Sequence, residues 1–413
     1  MRLDAIDGFR QIAPRMEVVI FANASEALTE LCGVSLLERQ LRILHRLGFE
    51  HAMIISETPN EISAAIEPPT WARSGLATQI ISREELQMRE RTLFLPGNIY
   101  CDARLIRSLT ECAGECVLVD SNPPNELLPL LATAENDSRG FVSGAAVATN
   151  YDSLGDAAVI DAAKVPAYIT GMRRTLRPVF FPAPSAELRP LAKTIVLDTG
   201  QNGTLDIPAI IQSPIETWVM RGLCRTSITP NQISLLNLVV ALIAAAFFAA
   251  GYLWVGMIFA LTIGVLDGLD GKQARIKIET TKAGKWESYL DLIYEISWWA
   301  SLAFYFQRSG QLPYAWFYFL LIMAGEALDQ LAKHTARQRI DRLLDDYSPF
   351  DRFVRLIAAR RDVYLWSLAI ALALGAAPLT YRLCAFWGLV SAGVHWLRAA
   401  LIVARSKVAH PAR

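Results

Sequence analysis

Acidic side chains at helical spacing stand out at Asp267, Asp270, Glu287, Asp291 and Glu295, within the stretch DGLDGKQARIKIETTKAGKWESYLDLIYE that runs from 267 to 295. Asp267 and Asp270 are three residues apart and share a helix face. Glu287, Asp291 and Glu295 follow at intervals of four and line one face of a second helix. The stretch opens at the end of an apolar run, Tyr252 to Leu266, and closes inside another that continues through Trp298, Trp299 and Phe306. Charges at such a boundary are costly unless paired or ligating, which makes them functional suspects. Two helices that each present carboxylates can grip a hard divalent cation whose remaining positions take water and substrate phosphate. That arrangement suits phosphoryl chemistry. The bland alternative is a solvated loop in which the acids pair with Lys272, Arg275, Lys282 and Lys285.

The elements that must position these residues are apolar helices. The chain has 413 residues, 53% of them hydrophobic, with a mean hydropathy of +0.28. The apolar excess is concentrated after about residue 230, which predicts a soluble half followed by a membrane half and at least two domains. Runs near the roughly 20 residues that a bilayer demands predict six spans, around 232–250, 252–268, 288–306, 314–332, 362–377 and 382–404. Thr229-Pro230-Asn231-Gln232 reads as a cap that launches the first, and Ser213-Pro214 as the cap and first helical residue of an amphipathic surface helix carrying Trp218. Lysines and arginines gather in the loops after the second, fourth and sixth spans, so the termini and the acidic stretch are expected on the cytoplasmic side of an inner membrane.

Residues 1–205 alternate short apolar runs with helical patterns: Val18–Ala22, then Leu36–Leu47; His51–Ile55; Gln79–Ile81; Leu93–Leu95; Cys116–Val119. This predicts βαβ units and a largely parallel sheet covered by helices. Gly140–Thr149 and Lys193–Leu197 read as later strands, and Gly200-Gln201-Asn202-Gly203 as the turn before a linker over 206–230. Net charge is zero and the isoelectric point is near 7.0, so no field argues for nucleic acid. The six cysteines offer no zinc spacing and fit a reduced cytoplasm. The first eleven residues lack the apolar core of a secretory signal.

The motif Asp267-x-x-Asp270-Gly271-x-x-Ala274-Arg275, followed by Gly284 and acids at a spacing of four, resembles the signature of the CDP-alcohol phosphotransferase family. The first half matches position by position. In the second half the family's register falls on Ser288 and Leu292, and a shift of one residue restores carboxylates at Glu287 and Asp291. The resemblance implies a membrane enzyme that moves a phosphoalcohol from a CDP-linked donor to an acceptor hydroxyl and releases CMP. It implies that Asp267, Asp270, Glu287 and Asp291 hold Mg²⁺ or Mn²⁺, with Asp291 accepting the acceptor's proton. Gly271 and Ala274 would admit the nucleotide, with Lys272 and Arg275 on its phosphates, and a homodimer is expected. The adjacent pair Arg360-Arg361 is the candidate for an acceptor phosphate or an anionic lipid. Glu326 with Asp329, His395 and Arg398 read as interior pairing.

The first strand followed by Leu36-Leu37-Glu38-Arg39-Gln40-Leu41 is similar to the opening of sugar-phosphate nucleotidyltransferases, a domain found fused to such phosphotransferases. The expected architecture is thus an α/β nucleotidyltransferase-like N-terminal domain, a linker, and an all-α six-helix transmembrane domain from 231 to 413. The N-terminal chemistry departs from that pattern. Where a glycine-rich phosphate loop belongs, the chain reads Ala22-Asn23-Ala24-Ser25-Glu26; the lysine expected before Leu36 is missing, and Gly97-Asn98 stands where a metal-binding aspartate would follow. An inactive domain with a structural or regulatory role is expected. An ion-coupled carrier would need acids near mid-bilayer and inverted repeats, and a membrane scaffold would not need the motif.

Overall fold

The computed structural model describes residues 16–67, 69–86, 92–112, 116–123, 158–203, 206–279, 284–340 and 343–409. Strands β1 (Glu17–Phe21), β2 (His51–Ile55), β3 (Ala77–Ile81) and β4 (Thr92–Pro96) form a sheet in the order β3-β2-β1-β4. All three pairings are parallel, with Val19 opposite Met53 on one side and Phe94 on the other. The central strand is buried on both faces, as a parallel sheet requires, and its Val18 and Ile20 pack with Leu37, Leu41 and Leu44 of helix α1 (Leu36–Leu47). Ser35 Oγ caps α1 by accepting the Glu38 amide at 3.2 Å, and Gly48 closes it in the left-handed conformation at φ 96°.

Helices α2 (Pro59–Ile66) and α3 (Ala103–Glu111) follow, together with the antiparallel pair β5 (Ile99–Cys101) with β8 (Phe180–Pro182) and the parallel pair β6 (Cys116–Val119) with β7 (Ala158–Asp161). The predicted strand at Gly140–Thr149 lies outside the described residues. Lys193–Leu197 is not a strand: it belongs to helix α4 (Arg189–Asp198). Its β-branched run suggested extension, but Pro190 sits in the first turn, and Ala192 and Val196, one turn apart, are the residues that bury.

Helix α5 (Ile207–Leu223) also begins earlier than expected. Asp206 Oδ1 accepts the Ala209 amide at 3.0 Å and Pro208 fills the first turn, so the cap and proline at 213–214 give way to an equivalent pair upstream and Pro214 lies inside the helix. Its buried line, Pro208, Gln212, Glu216 and Met220, faces the next helices, while Ile210, Ile211, Ile215 and Trp218 are exposed.

Six helices then lie on the predicted apolar runs: α6 (Pro230–Ala250), α7 (Leu253–Lys277), α8 (Gly284–Arg308), α9 (Ala315–Arg337), the 13-residue α11 (Arg361–Ala373), which stops short of its predicted end, and α12 (Ala377–Ala409), with the short α10 (Pro349–Ile357) before α11. The Thr229 cap of α6 is a full capping box with Gln232. Among the described residues, α6, α7 and α12 are long and apolar enough to cross a membrane. The bundle is inverted relative to a water-soluble one. Small residues such as Ala241, Ala244, Ala260 and Ala385 are buried, while Leu235, Leu236, Ile258, Leu320, Ile370 and Val390 face outward. A β-carbon at Gly325 of α9 would lie 2.9 Å from the Gly388 backbone of α12, so these helices meet at glycines. Trp298, Trp299, Phe306, Tyr364 and Tyr381 fill the interior, and Trp298 Nε1 and the Tyr381 hydroxyl donate to the Ala241 and Trp299 carbonyls, each at 2.8 Å.

Candidate active site

The polar ends of α7 and α8 meet over one hydroxyl. Tyr294, three residues after Asp291 on α8, places its oxygen 2.6 Å from Asp291 Oδ1 and 3.1 Å from Asp267 Oδ1. Its single proton serves one carboxylate at a time, so two acids from neighbouring helices share one donor. Arg361, in the first turn of α11, donates Nη2 to Asp267 Oδ2 at 2.5 Å and Nη1 to the Tyr294 hydroxyl, and its guanidinium lies 5.0 Å above the Tyr294 ring. Asp362 approaches Arg361 Nε at 3.6 Å. One guanidinium thus meets two carboxylates, Asp267 and Asp362, and the hydroxyl that Asp291 shares.

Asp270 turns elsewhere. Its Oδ2 accepts from Ser234 Oγ of α6 at 2.6 Å and its Oδ1 from the Gly271 amide at 2.5 Å. Three residues along a helix leave two side chains about 60° apart around the axis, enough for α8 to claim Asp267 and α6 to claim Asp270. Among the described residues, Asp267 and Asp291 converge on the Tyr294 hydroxyl, while Ser234 and the Gly271 amide hydrogen-bond Asp270. Glu287 lies on α8 one turn before Asp291, and its side chain is outside the described residues. Among the described residues no group of three or more His, Cys, Asp or Glu is arranged to hold a metal ion.

Of the residues expected around a nucleotide, two are engaged by the protein itself. Lys272 Nζ pairs with Glu216 of α5 at 2.9 Å and reaches Thr217 Oγ1 at 3.3 Å. Burial raises the Glu216 carboxyl above the usual carboxylate range, against the pull of Lys272. Arg275 donates Nε and Nη2 to the Gly200 carbonyl at 3.0 and 2.8 Å. Gly271 keeps its space: a β-carbon there would meet nothing nearer than the Arg275 guanidinium at 3.2 Å. At Gly268 a β-carbon would sit 2.5 Å from the Glu216 carboxyl carbon, so this glycine is what lets α5 lie against α7. Ala274 is buried.

The adjacent arginines diverge. Arg361 points to the carboxylates, whereas Arg360 Nε lies 3.5 Å from Asp206 at the start of α5. His395 is hydrogen-bonded to Asp329, which Lys333 also reaches at 2.7 Å, and Arg398 grips Asp351 at 2.7 and 2.8 Å, so these residues are interior pairs. Tyr294, Ser234 and Glu216 escaped the reading of the sequence. Tyr294 could have been found, since it follows Asp291 by one turn on the same face. Ser234 and Glu216 carry no local signal, because only packing brings them to the motif.

The comparisons with known proteins agree with this location. The inner membrane protein YnjF of Escherichia coli (strain K12) is 29% identical over 132 residues, 31% of this chain and 62% of that protein, so the match spans less than two thirds of the relative. With the three helices apolar enough to cross a bilayer, this similarity marks a membrane protein. Residues 227–404, which carry both convergent carboxylates, match the model of the CDP-alcohol phosphatidyltransferase family.

Proposed function

We propose that this domain transfers a phosphoalcohol from a CDP-alcohol to an acceptor hydroxyl and releases CMP, in the synthesis of a phospholipid or related polar lipid. The observation that carries the reading is the sharing of the Tyr294 hydroxyl by Asp267 and Asp291. Two motif carboxylates from different helices lie close enough to act on one small group. The Tyr294 hydroxyl itself illustrates the chemistry, since an acceptor alcohol at the same distance from Asp291 would present its proton to that carboxylate.

The donor set supports a hard divalent cation, because it consists of carboxylate oxygens with no thiolate or imidazole. Asp267 and Asp291 would hold it, with Asp270 and Glu287 as the remaining motif acids. A bound Mg²⁺ or Mn²⁺ supplies charge neutralisation for the diphosphate and the leaving CMP. Arg361 fixes the orientation of Asp267 and Tyr294 and, being cationic, balances part of the cluster's charge. Gly271 has no side chain to block the α7 backbone, and the nearest atoms to a β-carbon there are those of the Arg275 guanidinium at 3.2 Å, so a nucleotide can approach the backbone beside a cation.

Six helices lie on the six predicted apolar runs, of which α6, α7 and α12 are, among the described residues, long and apolar enough to cross a bilayer, and the basic loops fit an active site on the cytoplasmic side of the inner membrane. The parallel sheet β3-β2-β1-β4 with α1 is the part of residues 1–205 that supports a nucleotidyltransferase-like fold, and Ala22 to Glu26 in place of a glycine-rich loop supports its being inactive in nucleotidyl transfer. The reading is tested by incubating the purified full chain with CDP-diacylglycerol, a panel of alcohols and phosphoalcohols, and Mg²⁺ or Mn²⁺. CMP should be released by the unaltered chain and not by Asp267→Asn or Asp291→Asn. Absence of metal-dependent CMP release with every acceptor, or full activity in both variants, would overturn it.

A further inference from the structure

The last turns of α7 lie beyond the carboxylates and are held from the other half of the chain. A helix end leaves its final carbonyls without intrahelical partners. Here Arg39 donates Nη1 to the Ile276 carbonyl at 2.5 Å and Arg42 donates Nη1 to the Lys277 carbonyl at 2.8 Å. The two arginines sit three apart on α1 and are both buried, an unusual state for arginine unless every charge is answered. Arg39 also reaches the Leu31 carbonyl at 3.0 Å, and Arg42 is paired with Glu38 at 2.8 Å and Glu279 at 3.3 Å. Two guanidinium charges at a helix C-terminus are also where the macrodipole favours them.

The grip is mutual. Arg275 of α7 donates twice to the Gly200 carbonyl, and a β-carbon at Gly200 would lie 2.9 Å from the Ile276 side chain and 3.1 Å from the Lys272 carbonyl. The turn at 200 therefore abuts the motif helix with no room for a side chain. Ile278 completes the end in the left-handed conformation at φ 56°, a backbone state that a branched residue adopts only where surrounding contacts fix it.

From these contacts we infer that the N-terminal half is a brace for the motif helix, with Arg39 and Arg42 as positioning residues that set where α7 presents Asp267 and Asp270. This rests on the transferase reading for its effect on turnover, but not for the brace itself. It gives a physical role to a domain whose first loop lacks the glycines of a phosphate cradle. The helix transmits the constraint, since Asp270 lies fewer than two turns before Ile276.

The test uses the full chain in lipid nanodiscs, with Arg39→Gln/Arg42→Gln and the charge-retaining Arg39→Lys/Arg42→Lys, read by hydrogen–deuterium exchange along α7 and by CMP release. Losing two charge-assisted bonds should raise exchange of the amides at the end of α7 about tenfold or more. It should lower kcat with the donor KM little changed, and leave exchange in α9 and α12 as it was. The lysine pair should restore part of both. The brace is overturned if exchange rises only within residues 16–203 while α7 is unchanged; if α7 loosens and kcat does not move, the brace stands but the positioning role of Arg39 and Arg42 in turnover is overturned. Should the unaltered chain release no CMP, the transferase reading fails, and the exchange data still decide whether the brace exists.

Discussion

Arg361 and Asp267 stand 94 residues apart in the sequence and meet at 2.5 Å, the guanidinium on α11 closing over the carboxylate on α7. The pair is mostly buried and the same guanidinium reaches the Tyr294 hydroxyl, so the fork, more than the charge alone, organises the cluster. Arg361→Lys keeps the charge but cannot span both partners. Activity in CMP release should fall by about tenfold or more, in line with a charged hydrogen bond worth roughly 1.5–3 kcal/mol. Arg361→Met should cost more in thermal stability, because it leaves Asp267 without its partner. A lysine variant with unaltered turnover would refute this role.

Tyr294→Phe isolates the hydroxyl. The ring stays against Trp298 at 5.3 Å between centroids and under Arg361, so packing is retained. Stability should change by about 1 kcal/mol or less, the net worth of an ordinary hydrogen bond. If the hydroxyl sets the spacing of Asp267 and Asp291, the Mg²⁺ concentration for half-maximal activity should rise while the melting temperature holds. Equal metal titrations for both proteins would reduce Tyr294 to a packing residue.

The two glycines that flank Leu269-Asp270 should respond in opposite ways. Gly268→Ala drives a β-carbon into the Glu216 carboxylate at 2.5 Å and should push α5 away from α7, lowering stability despite the helix propensity of alanine. Gly271→Ala meets only the far end of Arg275, so the protein should melt at or above the unaltered temperature, by up to about 1 kcal/mol of helix propensity. If a nucleotide packs on that patch, Gly271→Ala should nevertheless raise the donor KM. Melting curves and steady-state kinetics on the two variants separate the packing glycine from the access glycine.

Much of this was legible before the coordinates. Hydropathy found the six apolar helices, though α7 runs nine residues past its predicted end, and the periodicity of Leu36–Leu47 gave α1 its limits, because both signals are local. The carboxylate spacing gave the faces but not which acids meet. Asp267 and Asp270 share a face in projection, yet α8 takes one and α6 the other, a choice made by packing. The roles of Arg39 and Arg42 were hidden for the same reason, since a buried arginine on an amphipathic helix looks like a surface residue until its partner helix is known. At Lys193–Leu197 a β-branched run outweighed the proline in the first turn, and tertiary burial of Ala192 and Val196 decided for the helix.

Acid should unfold the edge of the bundle that carries α10 through Asp345 and Asp351. Burial opposes ionisation of both, but Lys333 and Arg355 hold Asp345 well below the usual carboxylate range, and hydrogen bonds from Arg398 and Ser348 do the same for Asp351. A carboxyl whose folded value is depressed contributes stability that is complete above its unfolded value of about 4 and is lost as pH falls through the folded one. The melting temperature in detergent should therefore be level from pH 7 to about 5 and fall below about pH 4. Asp345→Asn should lower it at pH 7 by breaking the ion pair with Arg355, and should flatten the acid limb, because one of the protons that drives unfolding no longer binds. A variant whose acid limb stays as steep as that of the unaltered protein would place the acid sensitivity elsewhere.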